Sequence, residues 1–121
     1  MIENRAEQKE ALETLLEFNV RLVKNMNIIV KELSGERLED TGAFLEDILQ
    51  AMNWEIQVFN GTMELLNEDK VRIEKEMFNE KIKALGDAIA AKDDAQMAEK
   101  FTEVIPVFEA LGEAAKEVTA K

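Results

Sequence analysis

A chain of 121 residues fits one domain built around one core, expected to span 1–121. Its 46% hydrophobic and 34% charged residues exclude a disordered chain, and no apolar run approaches the ~20 residues that a membrane helix needs. A net charge of −11 sets it against nucleic acid and anionic membrane surfaces, so neither is expected as a partner.

Only 5 Gly and 1 Pro are present, too few turn residues for a sandwich or barrel. Ala, Leu, Glu and Lys, all strong helix formers, dominate. Cys is absent, which excludes disulfides and suits a reducing compartment. The opening MIENRAEQKEALE is polar and has no signal-like apolar region, so a cytoplasmic location is expected.

The first helix is predicted from about Arg5 to Leu33. Leu12, Leu15, Leu22, Met26, Ile29 and Leu33 form its stripe, flanked by Leu16, Val23 and Val30. Asn19 falls inside that stripe. A polar residue there either fixes register or partner number, or meets a water or a backbone group. Ile28 points out of the polar face. Ser34-Gly35 ends the helix, and residues 36–42 form a charged connector.

The second helix, Ala43–Leu66, is the most apolar stretch. Leu45, Leu49, Met52, Ile56, Phe59, Met63 and Leu66 step by four and three, and Phe44 and Ile48 widen the stripe. Ala51, Trp54, Val58 and Leu65 carry it toward the opposite side. An arc this wide predicts burial on more than one side, as the bundle's central helix or in a homodimer. Trp54, Val58, Gly61 and Leu65 are the candidate interaction surface. Large aromatics favour interface centres, Gly61 permits close approach, and Asp47 belongs at the rim. The alternatives are a core position for Trp54 and simple tolerance of Gly61. Asp40 or Thr41 is the expected N-cap.

Asn67 either closes the second helix or caps the third. The third is expected from about Glu68 to Ala91, with a narrow stripe of Val71, Phe78, Ile82, Leu85 and Ile89. Lys70–Glu74 and Arg72–Glu76 stand at i,i+4 spacing on its outer face. The fourth helix begins at Asp93, where Asp93 and Gln96 approximate a capping box. Met97, Phe101, Val104, Phe108, Leu111, Ala115 and Val118 line its inner face. Pro106 projects on the polar side and predicts a gentle bend.

These segments predict an all-α protein, an antiparallel up-down four-helix bundle. The alternative is a three-helix arrangement with the second and third segments fused into one long helix and dimerised.

The chemistry of known bundle enzymes is missing. No His is present, so Glu-x-x-His di-iron ligation fails, and zinc loses both favoured ligand types. No phosphate loop, dinucleotide fingerprint or nucleophile elbow appears. The remaining enzymatic option is a carboxylate and magnesium hydrolase of the all-α nucleotide pyrophosphohydrolase type. Glu7-x-x-Glu10, Glu10-x-x-Glu13 and Glu36-x-x-Glu39 match half of its motif, but no Glu-x-x-Asp exists. No catalytic, metal or cofactor residue is therefore nominated. The leading expectation is a non-catalytic protein-binding module, a chaperone or adaptor, whose partner is another protein or a second copy through the helix at 43–66.

The stretches Ala51-Met52-Asn53-Trp54 and Val104-Ile105-Pro106-Val107-Phe108-Glu109 resemble small uncharacterised helical proteins of Gram-positive bacteria. In general form, a small acidic bundle is also similar to export chaperones of the flagellin-binding kind. Neither resemblance brings a site residue or an activity with it.

Overall fold

Helix signals in the chain translate into four helices in the computed structural model, which describes residues 4–120. They are α1 (Arg5–Leu33), α2 (Thr41–Leu66), α3 (Lys75–Ala91) and α4 (Asp94–Thr119), with no strand among the described residues. The ends of the expected 1–121 domain, residues 1–3 and 121, lie outside the described residues.

Local capping sets the helix starts. Asn4 accepts a hydrogen bond from the Glu7 backbone N–H at 2.8 Å, and Asp93 accepts one from that of Gln96 at 3.2 Å. At α2 the N-cap is Asp40, but its side chain makes no capping bond. The buried Thr41 hydroxyl organises that corner instead, accepting from the Leu38 N–H at 2.8 Å and donating to Glu32 at 2.7 Å. Lys92 adopts a left-handed conformation (φ 56°), closing α3 and turning the chain directly into α4.

The helices form an antiparallel four-helix bundle. Gln8 near the start of α1 accepts from the Leu65 N–H near the end of α2 at 3.3 Å. Arg37, between α1 and α2, holds Asp94 at the start of α4 with two bonds of 2.9 Å. Arg72, between α2 and α3, reaches Glu117 near the end of α4 at 3.1 Å. Each tie joins ends that only an up-down order brings together.

The fused second and third helix is excluded by an eight-residue turn at 67–74. Asn67 builds this turn: its carboxamide oxygen accepts from the Arg72 and Ile73 N–H groups at 2.8 and 3.2 Å. This competes with helical hydrogen bonding, as short amide side chains do. The third helix therefore starts at Lys75 rather than Glu68, and Val71 is exposed on the turn instead of sitting in a stripe. Lys70 and Arg72 do not make i,i+4 helix pairs. Both grip Glu117 of α4, and Arg72 also bonds Asp69 and the Leu66 carbonyl.

The central helix is α4, not α2. It packs against all three others, whereas no α-carbons of α2 and α3 come within 8 Å of each other. Stacked Phe59 and Phe78, with ring centres 4.2 Å apart, span that wider side, and Phe108 of α4 lies against Phe78. Every residue of the α4 stripe from Met97 to Val118 is buried. Pro106 is exposed, so the Thr102 carbonyl that it deprives of a donor lies on the solvent side.

Candidate functional site

The α2 sequence carries two stripes on opposite faces. Ile48, Met52, Glu55, Phe59, Thr62 and Leu66 advance by four and three and are all buried. This centre is rotated from the expected one. Leu45, Leu49, Ile56 and Met63 sit half-buried at its flank, and an acid and a hydroxyl occupy the middle. Thr62 satisfies itself by donating to the Val58 carbonyl at 2.6 Å.

Glu55 is 1% exposed. One of its oxygens accepts from the Asn19 side-chain amide at 2.9 Å, and the other has no protein partner. The same Asn19 nitrogen donates to the Phe108 carbonyl of α4 at 3.1 Å. Asn19 thus ties α1, α2 and α4 at mid-bundle. Burial pushes the Glu55 carboxyl up to about 7, against a smaller downward pull from the Asn19 bond. Gly112 of α4 lies against this amide, and a β-carbon there would overlap the Asn19 oxygen. A shallow groove of about 320 Å³ between α1 and α4 opens above it, with Val20, Glu109 and Lys116 on its walls.

The outer stripe of α2 reads Gln50, Trp54, Gln57 and Gly61, again at steps of four and three. From Ile48 to Met63 the only charged residue is the buried Glu55, so the exposed surface of this stretch carries no charge. In a chain that is 34% charged, sixteen residues would be expected to hold about five charges. Trp54 is 38% exposed and meets Phe18 of α1, itself 47% exposed, edge to face at 5.9 Å. A groove of about 290 Å³ runs beside Phe18 between α1 and α2, with Phe44 in its wall and Arg21 and Asp47 at its mouth.

The structure divides the four predicted surface residues. Trp54 lies on the outer face and Gly61 is half-buried beside it in the stripe. Val58 and Leu65 are each only 4% exposed and belong to the core. An arc centred on the Leu45–Ile56–Met63 line, as the four-three spacing suggests, leaves both outside. The close approach of α1, fixed by Asn19–Glu55 and Gln8–Leu65, turns their side inward. Sequence reasoning missed Phe18, exposed beside a core stripe, and Glu55. The signal for Glu55 was its place in the even four-three register between Met52 and Phe59.

The acids considered for magnesium, Glu7, Glu10, Glu13, Glu36 and Glu39, are all exposed. Among the described residues no three acidic side chains gather as a metal site would need. An opening of about 640 Å³ lies between residues 33–35 and the first turns of α4, where Asp94 is already held by Arg37.

Fold and surface together define an acidic all-α bundle whose second helix has an uncharged outer surface from Ile48 to Met63. Residues 10–114 match the family described as "Domain of unknown function (DUF8042)", and the chain belongs to that family. No curated protein and no solved structure matches it. Among the described residues, no helix is long and apolar enough to cross a membrane.

Proposed function

We propose that this protein is a non-catalytic protein-binding module of the cytoplasm, an adaptor or chaperone, and that it docks through the outer face of α2 and the adjoining edge of α1. The observation that carries the reading is the uncharged surface from Ile48 to Met63 with Trp54 and Phe18 half-exposed on it. An exposed aromatic pair with neutral polar groups along its α2 side has the composition of an interface centre.

The partner that fits best is a second copy. Two chains of net charge −11 repel one another, so contact is favoured only where charge is locally absent. A two-fold axis brings a patch against itself, which demands self-complementary groups. Gln50, Asn53, Gln57 and Asn60 are exposed amides, each both donor and acceptor, and can pair with their own copies. Light scattering over a range of concentrations tests this. The wild type is expected to approach twice the monomer mass and Phe18→Glu to remain monomeric. A wild type monomeric throughout would remove the second copy as partner.

A further inference from the structure

Phe18 and Asn19 are consecutive on α1, and Trp54 and Glu55 are consecutive on α2. The outer aromatic pair and the inner polar pair therefore share the same backbone on both helices. Anything that changes the Asn19–Glu55 contact moves the seat of the Phe18–Trp54 contact as well.

The inner pair is poised to change. Glu55 has one hydrogen bond, from a neutral amide, and its second oxygen has no protein partner. From α1 the polar group facing it is Asn19. From α4 it is the Phe108 carbonyl that shares the Asn19 nitrogen, with Glu109, Glu113 and Lys116 at the outer rim of the groove above. The buried residues of α3, Phe78, Leu85 and Ala88, are all apolar, and its Lys81 pairs with Glu103. Burial raises the Glu55 carboxyl and the Asn19 bond opposes it, and the one hydrogen bond that it receives comes from that uncharged amide. A carboxylate so placed has lost water and gained no cation, whereas the neutral acid is tolerated.

We infer that Glu55 is a proton-operated latch for the docking face: its protonated form holds α2 seated on α1 and α4, and loss of the proton to solvent loosens that seat and rearranges Phe18 and Trp54. The consequence for docking rests on the function proposed above, but the latch itself does not. Because the carboxyl titrates at about 7, modest changes around neutrality operate it. One pH unit beyond the midpoint shifts the ratio of the two forms about tenfold.

Trp54 is the only Trp in a chain without Tyr, so its fluorescence reports this seam alone. In the full chain, emission recorded between about pH 5 and 9 is expected to shift to the red along a single titration curve centred near 7. Glu55→Gln, neutral at every pH, is expected to remove the curve and keep the blue-shifted, low-pH emission. A pH-independent wild type, or the same curve in Glu55→Gln, overturns the latch. Should that variant fail to fold, carboxyl-resolved NMR of the wild type decides: titration of Glu55 in the ordinary carboxylate range overturns the proposal, and titration near 7 with the Asn19 amide signals moving in step supports it. Light scattering on the same samples separates the two claims. A Trp54 transition in a protein monomeric at both ends of the titration upholds the latch and refutes the second copy as partner.

Discussion

Replacing Gly112 by Ala sets two known effects against each other. In the interior of a helix the change favours folding by about 1 kcal/mol, because Ala restricts the unfolded chain and Gly does not. Here the new methyl group falls on the Asn19 oxygen, and that side chain is anchored on its far side by Glu55 and the Phe108 carbonyl. Asn19 is 6% exposed and its amide nitrogen makes two bonds, so its side chain moves away from Gly112 only at their expense. Overpacking of this kind costs about 1–3 kcal/mol, and a buried polar group that loses its partner costs about 1–3 kcal/mol more. The opposing terms leave a net destabilisation of about 1–5 kcal/mol. Urea unfolding at pH 6 is expected to show a lower midpoint with an unchanged slope, the mark of lost stability rather than an altered unfolded state. Combining Gly112→Ala with Asn19→Ala makes room for the methyl group, so the double variant should lose less than the sum of the singles. A neutral or stabilising Gly112→Ala would refute the claim that Asn19 locks α1, α2 and α4 together.

Gly86 offers the opposite outcome from the same substitution. It is exposed within α3 and nothing lies within 4 Å of a β-carbon there, so Gly86→Ala should raise stability by about 0.5–1 kcal/mol in the same urea assay. Stability should also depend on pH in a sense set by Glu55. Its carboxyl is raised from 4.5 to about 7, so below 4.5 both states are protonated and no stability is lost. Between these values the unfolded chain releases its proton while the folded one retains it. Stability then falls with rising pH by about 3 kcal/mol in total and levels off above 7. Glu55→Gln should abolish that slope in thermal or urea unfolding. Glu117 acts in the opposite sense: Arg72 and then Lys70 hold its carboxyl below the usual range, so acidification weakens the turn at 67–74.

Much of the bundle was legible because its largest elements are strongly periodic. The bounds of α1 and the whole buried face of α4 follow from apolar residues at steps of four and three, with polar residues confined to the other side. The turn at 67–74 was not legible for a local reason. Residues 68–74 are mostly charged and helix-compatible, and what opens the helix is the Asn67 side chain capturing two backbone N–H groups. The rotated face of α2 was hidden for a different reason. Apolar residues cover most of its circumference, so periodicity could not choose which of them faces inward. That choice was made by polar contacts with α1, Asn19 to Glu55 and Gln8 to the Leu65 N–H, pairs separated by 36 and 57 residues. Asn19 was recognised as out of place in an apolar stripe, but its partner could be named only once the helices were side by side. The sequence leaves Trp54 open between core and interface, because it lies away from the main stripe, and it gives no sign of Phe18, which adjoins a stripe that otherwise faces inward.

The central claim is that the uncharged outer face of α2 is where this protein meets its partner, a second copy of itself. Hydrogen exchange read by mass spectrometry on the wild type, at low and at high protein concentration, tests it most directly. Added protection at high concentration is expected, confined to peptides covering 43–66 and the segment of α1 around Phe18, with α3 unchanged. Protection that appears on α3 or the outer side of α4, or nowhere at any concentration, would contradict it.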